Sequence, residues 1–214
     1  MKIELLSITP DAEQLIEKAG RTAYQSQDRI TADSAATFIN MLVRRGHTSV
    51  LEHATATFLI SDVSRAFSHQ LVRHRIASYT QKSQRYCKEG GFDFVIPDSI
   101  RDHVEASRIF YGLMHDADVA YTKLQELGIK NEDARFVLPN ACTTEIVITA
   151  NFRIWRHIVA LRTEKSAQWE IRDVCIEILK VLKEKWVQHN ELVKQMTEII
   201  KENGLRLYTV GYKI

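Results

Sequence analysis

The chain has 214 residues, 45% of them apolar, which is enough to bury a core, and no composition shift marks a second domain, so one domain over 1–214 is expected. Its 29 basic and 27 acidic residues leave a net charge of +2, which excludes the global positive field that non-specific nucleic-acid binding relies on and makes any anion site local. Cys87, Cys142 and Cys175 are odd in number and lack a CxxC pair, and no stretch reads as a secretory leader or reaches the ~18 apolar residues of a membrane span; a soluble cytoplasmic protein without disulfides or zinc is expected.

Residues 1–8 read as a strand, and Pro10 opens a helical pattern through Ala12, Leu15, Ile16, Ala19 and Ala23. A second helix is predicted from about Ala32 to Arg45, capped by Thr31 and stopped by Gly46. Residues 54–60 carry strand-type side chains, and Asp62 is predicted to cap a third helix running through Arg75. Ile76 to Gly91 shows neither period and reads as a long functional loop.

A third strand at 92–96 ends at Pro97, an amphipathic helix follows to about Leu127, and 143–150 is a fourth strand. Two helices close the chain, Asn151 to Arg162 and one from near Ser166 to Asn203 and Gly204, the latter long enough that a break near Asn190 is expected. Without regular βαβ alternation, the fold class is α+β, a mostly antiparallel sheet flanked by helices, with long C-terminal helices.

The segment from Gln70 to Tyr86 concentrates Arg73, His74, Arg75, Lys82 and Arg85 among hydroxyls and amides, with no carboxylate between them. Such a cluster repels itself unless an anion, or acids elsewhere in the fold, compensates it, and arginine forks with hydroxyls are groups that bind phosphate. On a helix through Arg75, Gln70 and His74 fall on the stripe of Val63, Ala66, Phe67 and Leu71, while Arg73 and Arg75 leave on opposite flanks, roughly 160–200° apart. The plainer readings are a solvated loop with a core histidine, or an RNA patch in which Tyr79 and Tyr86 stack on bases.

Two further groupings carry chemistry. His47, Glu52 and His53 lie close in GHTSVLEH, but their spacing matches neither HExxH nor HxxEH, so turn chemistry is set against a metal site, and none is predicted. Arg162 shares a stripe with Phe152, Trp155 and Val159, and a guanidinium there needs an anionic ligand or a salt bridge to Glu164, Glu170 or another acid.

Arg73-His74-Arg75, then Ser78, Ser83, Arg85 and Tyr86, resembles the RHR-x7-S signature of the flavin-dependent thymidylate synthases; seven fixed residues across fourteen positions make it specific. GHTSVLEH at 46–53, ARFVLP at 134–139, NFR at 151–153 and LRTEKSAQWEIR at 161–172 resemble the same family in the same order. The chain departs from it at Thr80 and Gln81, where many members have Asn and Glu, and at His157, where some have Asn. Gln81 can hydrogen-bond but supplies no carboxylate.

The resemblance implies reductive methylation of dUMP to dTMP, with 5,10-methylenetetrahydrofolate as carbon donor and NADPH as reductant through FAD, in a homotetramer with shared active sites. It implies that His47, Ser49, Glu52, Arg73, His74, Arg75, Gln81, Asn151, Arg153 and His157 lie at the FAD. By the same likeness Gln70, Arg73, Gln81, Ser83, Gln84, Arg85, Arg135 and Arg162 lie at dUMP, with Arg162 favouring ionisation of N3 of the pyrimidine. No GxGxxG fingerprint supports Rossmann binding of either dinucleotide. No cysteine stands out as the thiolate that a conventional thymidylate synthase uses: Cys175 sits on the stripe of Ile171, Ile178 and Leu182, and Cys87 lacks a paired base.

Overall fold

The structure, a computed structural model, describes residues 1–185 and 191–205. Its sheet is antiparallel, with strands β1 (Lys2–Ile8), β2 (Thr55–Ser64), β3 (Ser78–Gln81) and β4 (Thr143–Asn151) in the order β1-β2-β4-β3. The helices are α1 (Ala12–Thr22), α2 (Ser34–Arg44), α3 (Arg65–Leu71), α4 (Asp98–Arg101), α5 (Val104–Glu126), α6 (Asn131–Ala134), α7 (Phe152–Arg162), α8 (Trp169–Lys185) and α9 (Glu191–Glu202). The α+β class expected from the chain is what is observed.

Two compact units divide these residues. One holds Met1–Lys2, Ile60–Arg73 and Thr80–Ile146, and the other Ile3–Leu59, His74–Tyr79 and the described residues from Val147 onward.

In the first unit, α3 is short because of how it begins. The sequence pointed to Asp62 as its cap, but Asp62 lies inside β2 with φ of 56°, a left-handed conformation that aspartate tolerates better than most residues. That twist breaks the in-out alternation of β2, so Val63 and Ser64 are both buried, and it delays the helix by two residues. Ser64 is the true cap: its Oγ accepts from Phe67 N at 3.0 Å. The helix then ends at Leu71, not Arg75, which removes the helical phase assigned to Arg73, His74 and Arg75.

Two other expectations are corrected. The segment 76–91 is not all loop, since Ser78–Gln81 pairs as β3 at the sheet edge; a four-residue run is too short for its period to stand out in sequence. Residues 92–96 form no full strand; Phe94 makes an isolated antiparallel bridge to Cys142 before Pro97, which has no N–H to extend the ladder. Beyond it, α5 buries Met114, Ala117 and Tyr121, and the Tyr121 hydroxyl accepts from Glu89 N at 3.1 Å.

In the second unit α1 packs on α2, and α7 packs on both α8 and α9. Helix α2 starts at Ser34, two residues later than expected, and Gly46, at φ 76°, provides the stop. Trp155 of α7 stands edge-on to Phe58, ring centroids 5.2 Å apart, and its indole Nε1 donates to Ala56 O at 3.1 Å. Both rings are fully enclosed, and truncating such an aromatic costs about 3–5 kcal/mol. The final helical pattern begins at Trp169 rather than Ser166; the break expected near Asn190 lies outside the described residues. Among the described residues no helix is long and apolar enough to cross a membrane.

Candidate active site

The phosphate-type donors gather in the first unit. After β3 the chain turns at Ser83, whose carbonyl accepts from Cys87 N at 2.9 Å and whose Oγ accepts from Arg85 N at 3.3 Å. Arg85 lies over the Tyr86 ring, 5.3 Å from its centroid, and its Nε donates to the Glu132 carboxylate at 2.7 Å. Arg135 Nε donates to the Glu132 carbonyl at 3.1 Å, so one residue draws both predicted nucleotide arginines together. Nothing in the sequence singled out Glu132; its only cue is its place three residues before Arg135.

The basic cluster is thus compensated in part from outside its own segment. Lys82 Nζ pairs with the buried Glu89 at 3.1 Å, and Arg85 with Glu132. Arg73 and Arg75 are exposed and form no ion pair among the described residues, while Gln70 and Ser83 are half-buried and Gln84 is buried. Gln81 faces inward from β3 and donates to Ser68 Oγ at 2.8 Å and Thr144 Oγ1 at 3.2 Å. Both amide hydrogens therefore have partners, and the side chain cannot act as an acid or base. Thr80, on the alternate face, is exposed.

The second unit assembles a different group. Arg162, half-buried at the end of α7, donates its Nε–H to His74 Nε2 at 2.9 Å. His74 is buried although it lies outside any helix, and the Tyr79 hydroxyl donates to its carbonyl at 2.8 Å. The His157 ring meets it edge-on at 5.7 Å. Burial first, then the nearby Arg162 and His157, push the imidazole down to about 4, so it is neutral near pH 7. Burial pushes the Tyr79 phenol up to about 12, with Arg162 opposing.

Of the expected flavin residues, His47, Ser49, Glu52, His74, Arg75, Asn151, Arg153 and His157 occupy the same unit, whereas Arg73 and Gln81 belong to the first. Asn151 caps α7, its Oδ1 accepting from Ile154 N at 3.0 Å, and Arg153 in the first turn pairs with Glu52 of the 3₁₀ turn Thr48–His53. Arg153 and His157 line a cavity of 470 Å³, shared with Thr48, Arg156 and Glu164. His47 is exposed and lines another of 770 Å³, with Arg29, Arg45 and Phe38 in its walls. Ser49 is exposed between these elements. Among the described residues no three His, Cys, Asp or Glu side chains are placed to hold a metal ion.

Residues 4–186 match the family model described as "Thymidylate synthase complementing protein". The flavin-dependent thymidylate synthase of Geobacter sulfurreducens is 44% identical over 191 residues, covering 86% of this chain and 82% of that protein. The chain belongs to the flavin-dependent thymidylate synthase family. Its relative in Pyrococcus horikoshii is 37% identical and covers 99% of the chain and 89% of that protein. Among solved structures, a UMP/dUMP methylase from Streptomyces cacaoi bound with 5-Br dUMP superposes with TM-score 0.80 at 25% identity, over 92% of this chain and 94% of that one. Thymidylate Synthase X from Helicobacter pylori, solved with FAD and dUMP, gives 0.78 at 23% identity, over 94% and 99%, and shares the fold. Like these flavin-dependent thymidylate synthases, the protein is a methyltransferase enzyme.

Proposed function

We propose that this enzyme methylates dUMP to dTMP, with 5,10-methylenetetrahydrofolate as the carbon donor, NADPH as the reductant and FAD as the working cofactor. The single observation that carries the reading is Arg162: a permanently charged guanidinium held by a neutral imidazole at the end of α7. Its positive charge beside the pyrimidine favours the N3-ionised ring, which places electron density at C5. No enzyme nucleophile is then needed, and the buried thiols of Cys142 and Cys175, both pushed up to about 12, are poor candidates for one.

The donor set fits a phosphorylated flavin. The 470 Å³ cavity carries Arg153, Arg156 and His157, and the Arg156 Nε is buried without an acceptor among the described residues, as an anionic ligand would require. Asn151, Arg153 and His157 would hold the cofactor with His47, Ser49, Glu52, Gln81 and the Arg73-His74-Arg75 turn. When bound, FAD supplies the hydride chemistry. At the substrate, Arg73, Arg85 and Arg135 neutralise the phosphate, and Gln70, Gln81, Ser83 and Gln84 orient the nucleoside. Arg85 would exchange its exposed contact with Glu132 for the nucleotide at little cost, because both partners are accessible to water.

Residues 1–214 work, in this reading, as one functional domain of a cytoplasmic homotetramer whose copies share active sites. Purified protein is expected to carry flavin absorption, and to form dTMP from dUMP, methylenetetrahydrofolate and NADPH with added FAD. Protein that neither retains nor takes up flavin, and forms no dTMP, would remove the reading.

A further inference from the structure

We propose that His74 is the positioning residue for Arg162: its bare Nε2 holds the guanidinium Nε–H and so fixes the direction in which the charge is presented to the pyrimidine. The inference rests on the reading that Arg162 activates that ring.

Arginine only donates, so the 2.9 Å contact from Arg162 Nε requires Nε2 of His74 to be unprotonated and places the ring proton on Nδ1. The imidazole is itself fixed on several sides. The Tyr79 hydroxyl anchors its carbonyl at 2.8 Å, and the His157 ring stands against it at 5.7 Å. Among the described residues, the charged or titratable groups facing His74 are Arg162 and His157 of α7 and Tyr79 of β3. The two cationic types disfavour the imidazolium, and burial does so more strongly.

The choice of partner matters for the chemistry. A carboxylate takes two guanidinium hydrogens side by side and cancels most of the field that the ring must feel. A neutral imidazole takes one hydrogen, orients the plane and itself cancels none of the charge. Held at its Nε, the long arginine side chain is preorganised where charge develops in the reaction.

Two substitutions and two readouts test this. His74→Ala removes the acceptor, and His74→Gln returns one, because Oε1 of glutamine reaches the place of Nε2. With saturating dUMP and FAD, kcat of His74→Ala should fall about 10–100-fold while the KM for dUMP changes little. Its kcat should climb with pH more steeply than that of the wild type, as uracil N3 ionises unaided, and His74→Gln should recover most of the loss. Exchange of the Arg162 Nε–H, followed by NMR, should be slow in the wild type and His74→Gln and fast in His74→Ala, whatever the turnover.

An active wild type with His74→Ala at its rate, or with His74→Gln no better than His74→Ala, would overturn the positioning role alone. So would Nε–H exchange as fast in the wild type as in His74→Ala. A wild type that forms no dTMP would instead remove the underlying reading, and the role with it.

Discussion

Arg153, in the first turn of α7, closes onto the carboxylate of Glu52, 101 positions earlier in the chain. Both side chains are close to half exposed, at 49% and 45%, and an ion pair so open to water contributes only about 0–1 kcal/mol. Its value lies in direction: it holds a cation in the lining of the 470 Å³ cavity.

Glu52→Gln should therefore unfold in urea within about 1 kcal/mol of the wild type, whereas Arg153→Ala should weaken FAD binding about tenfold or more, the loss of one charge-assisted hydrogen bond. Urea titration and flavin fluorescence quenching check the two halves. An unfolding loss in Glu52→Gln well above that bound would show the pair to be structural.

Arg162→Ala should abolish dTMP formation while flavin remains bound. In the proposed reading the guanidinium activates the ring, a role separate from flavin binding. Product analysis with a parallel absorption spectrum separates the outcomes, and full turnover in the variant would remove ring activation from Arg162.

The thiols give a prediction about both structure and mechanism. Cys142 and Cys175 are buried and hard to ionise, while Cys87 is exposed. A chromogenic disulfide reagent should titrate one thiol per native chain and three after denaturation. Cys87→Ala and Cys175→Ala should both retain turnover; a dead Cys87 variant with intact flavin binding would restore a thiolate mechanism.

His74 should also be visible in the pH dependence of stability. Its folded pKa, about 4, lies below the ordinary 6.5, so the unfolded chain takes up the proton first as the medium is acidified. The stability this neutral imidazole confers is complete above pH 6.5 and is lost as pH falls through 4, on the order of 3 kcal/mol in all. Urea titrations between pH 7 and pH 4.5 should show a steeper decline for the wild type than for His74→Gln, and parallel declines would contradict the assignment.

Much of the architecture was legible from period and punctuation. Gly46 and Gly204 stop helices with φ of 76° and 78°, Asn151 caps α7, and 143–150 forms β4 almost to the residue. What stayed hidden was tertiary. The helical phase placed His74 on a buried face through a helix that ends three residues earlier; the residue is buried, but because Arg162 and His157 enclose it. Ser64, not Asp62, caps α3 because a left-handed residue re-aims the strand, and no local rule predicts that twist. Glu132 and Glu89 compensate the basic segment from 47 and 7 residues away, and charge pattern alone could not name them. The signature around Ser83 carried the family; the partners of each of its side chains required the fold.

Helix α9 lies wholly past residue 186, where the family match ends. Yet Asn203, just beyond its last turn, donates to Ala160 O at 3.1 Å and to Thr163 Oγ1 at 2.8 Å, the residues on either side of the α7 terminus that carries Arg162. Asn203 thus ties down the end of α7, and if Arg162 acts as proposed, removing that tie should be felt in catalysis as well as in resistance to heat. Relatives with different endings would have to steady the same guanidinium by other means.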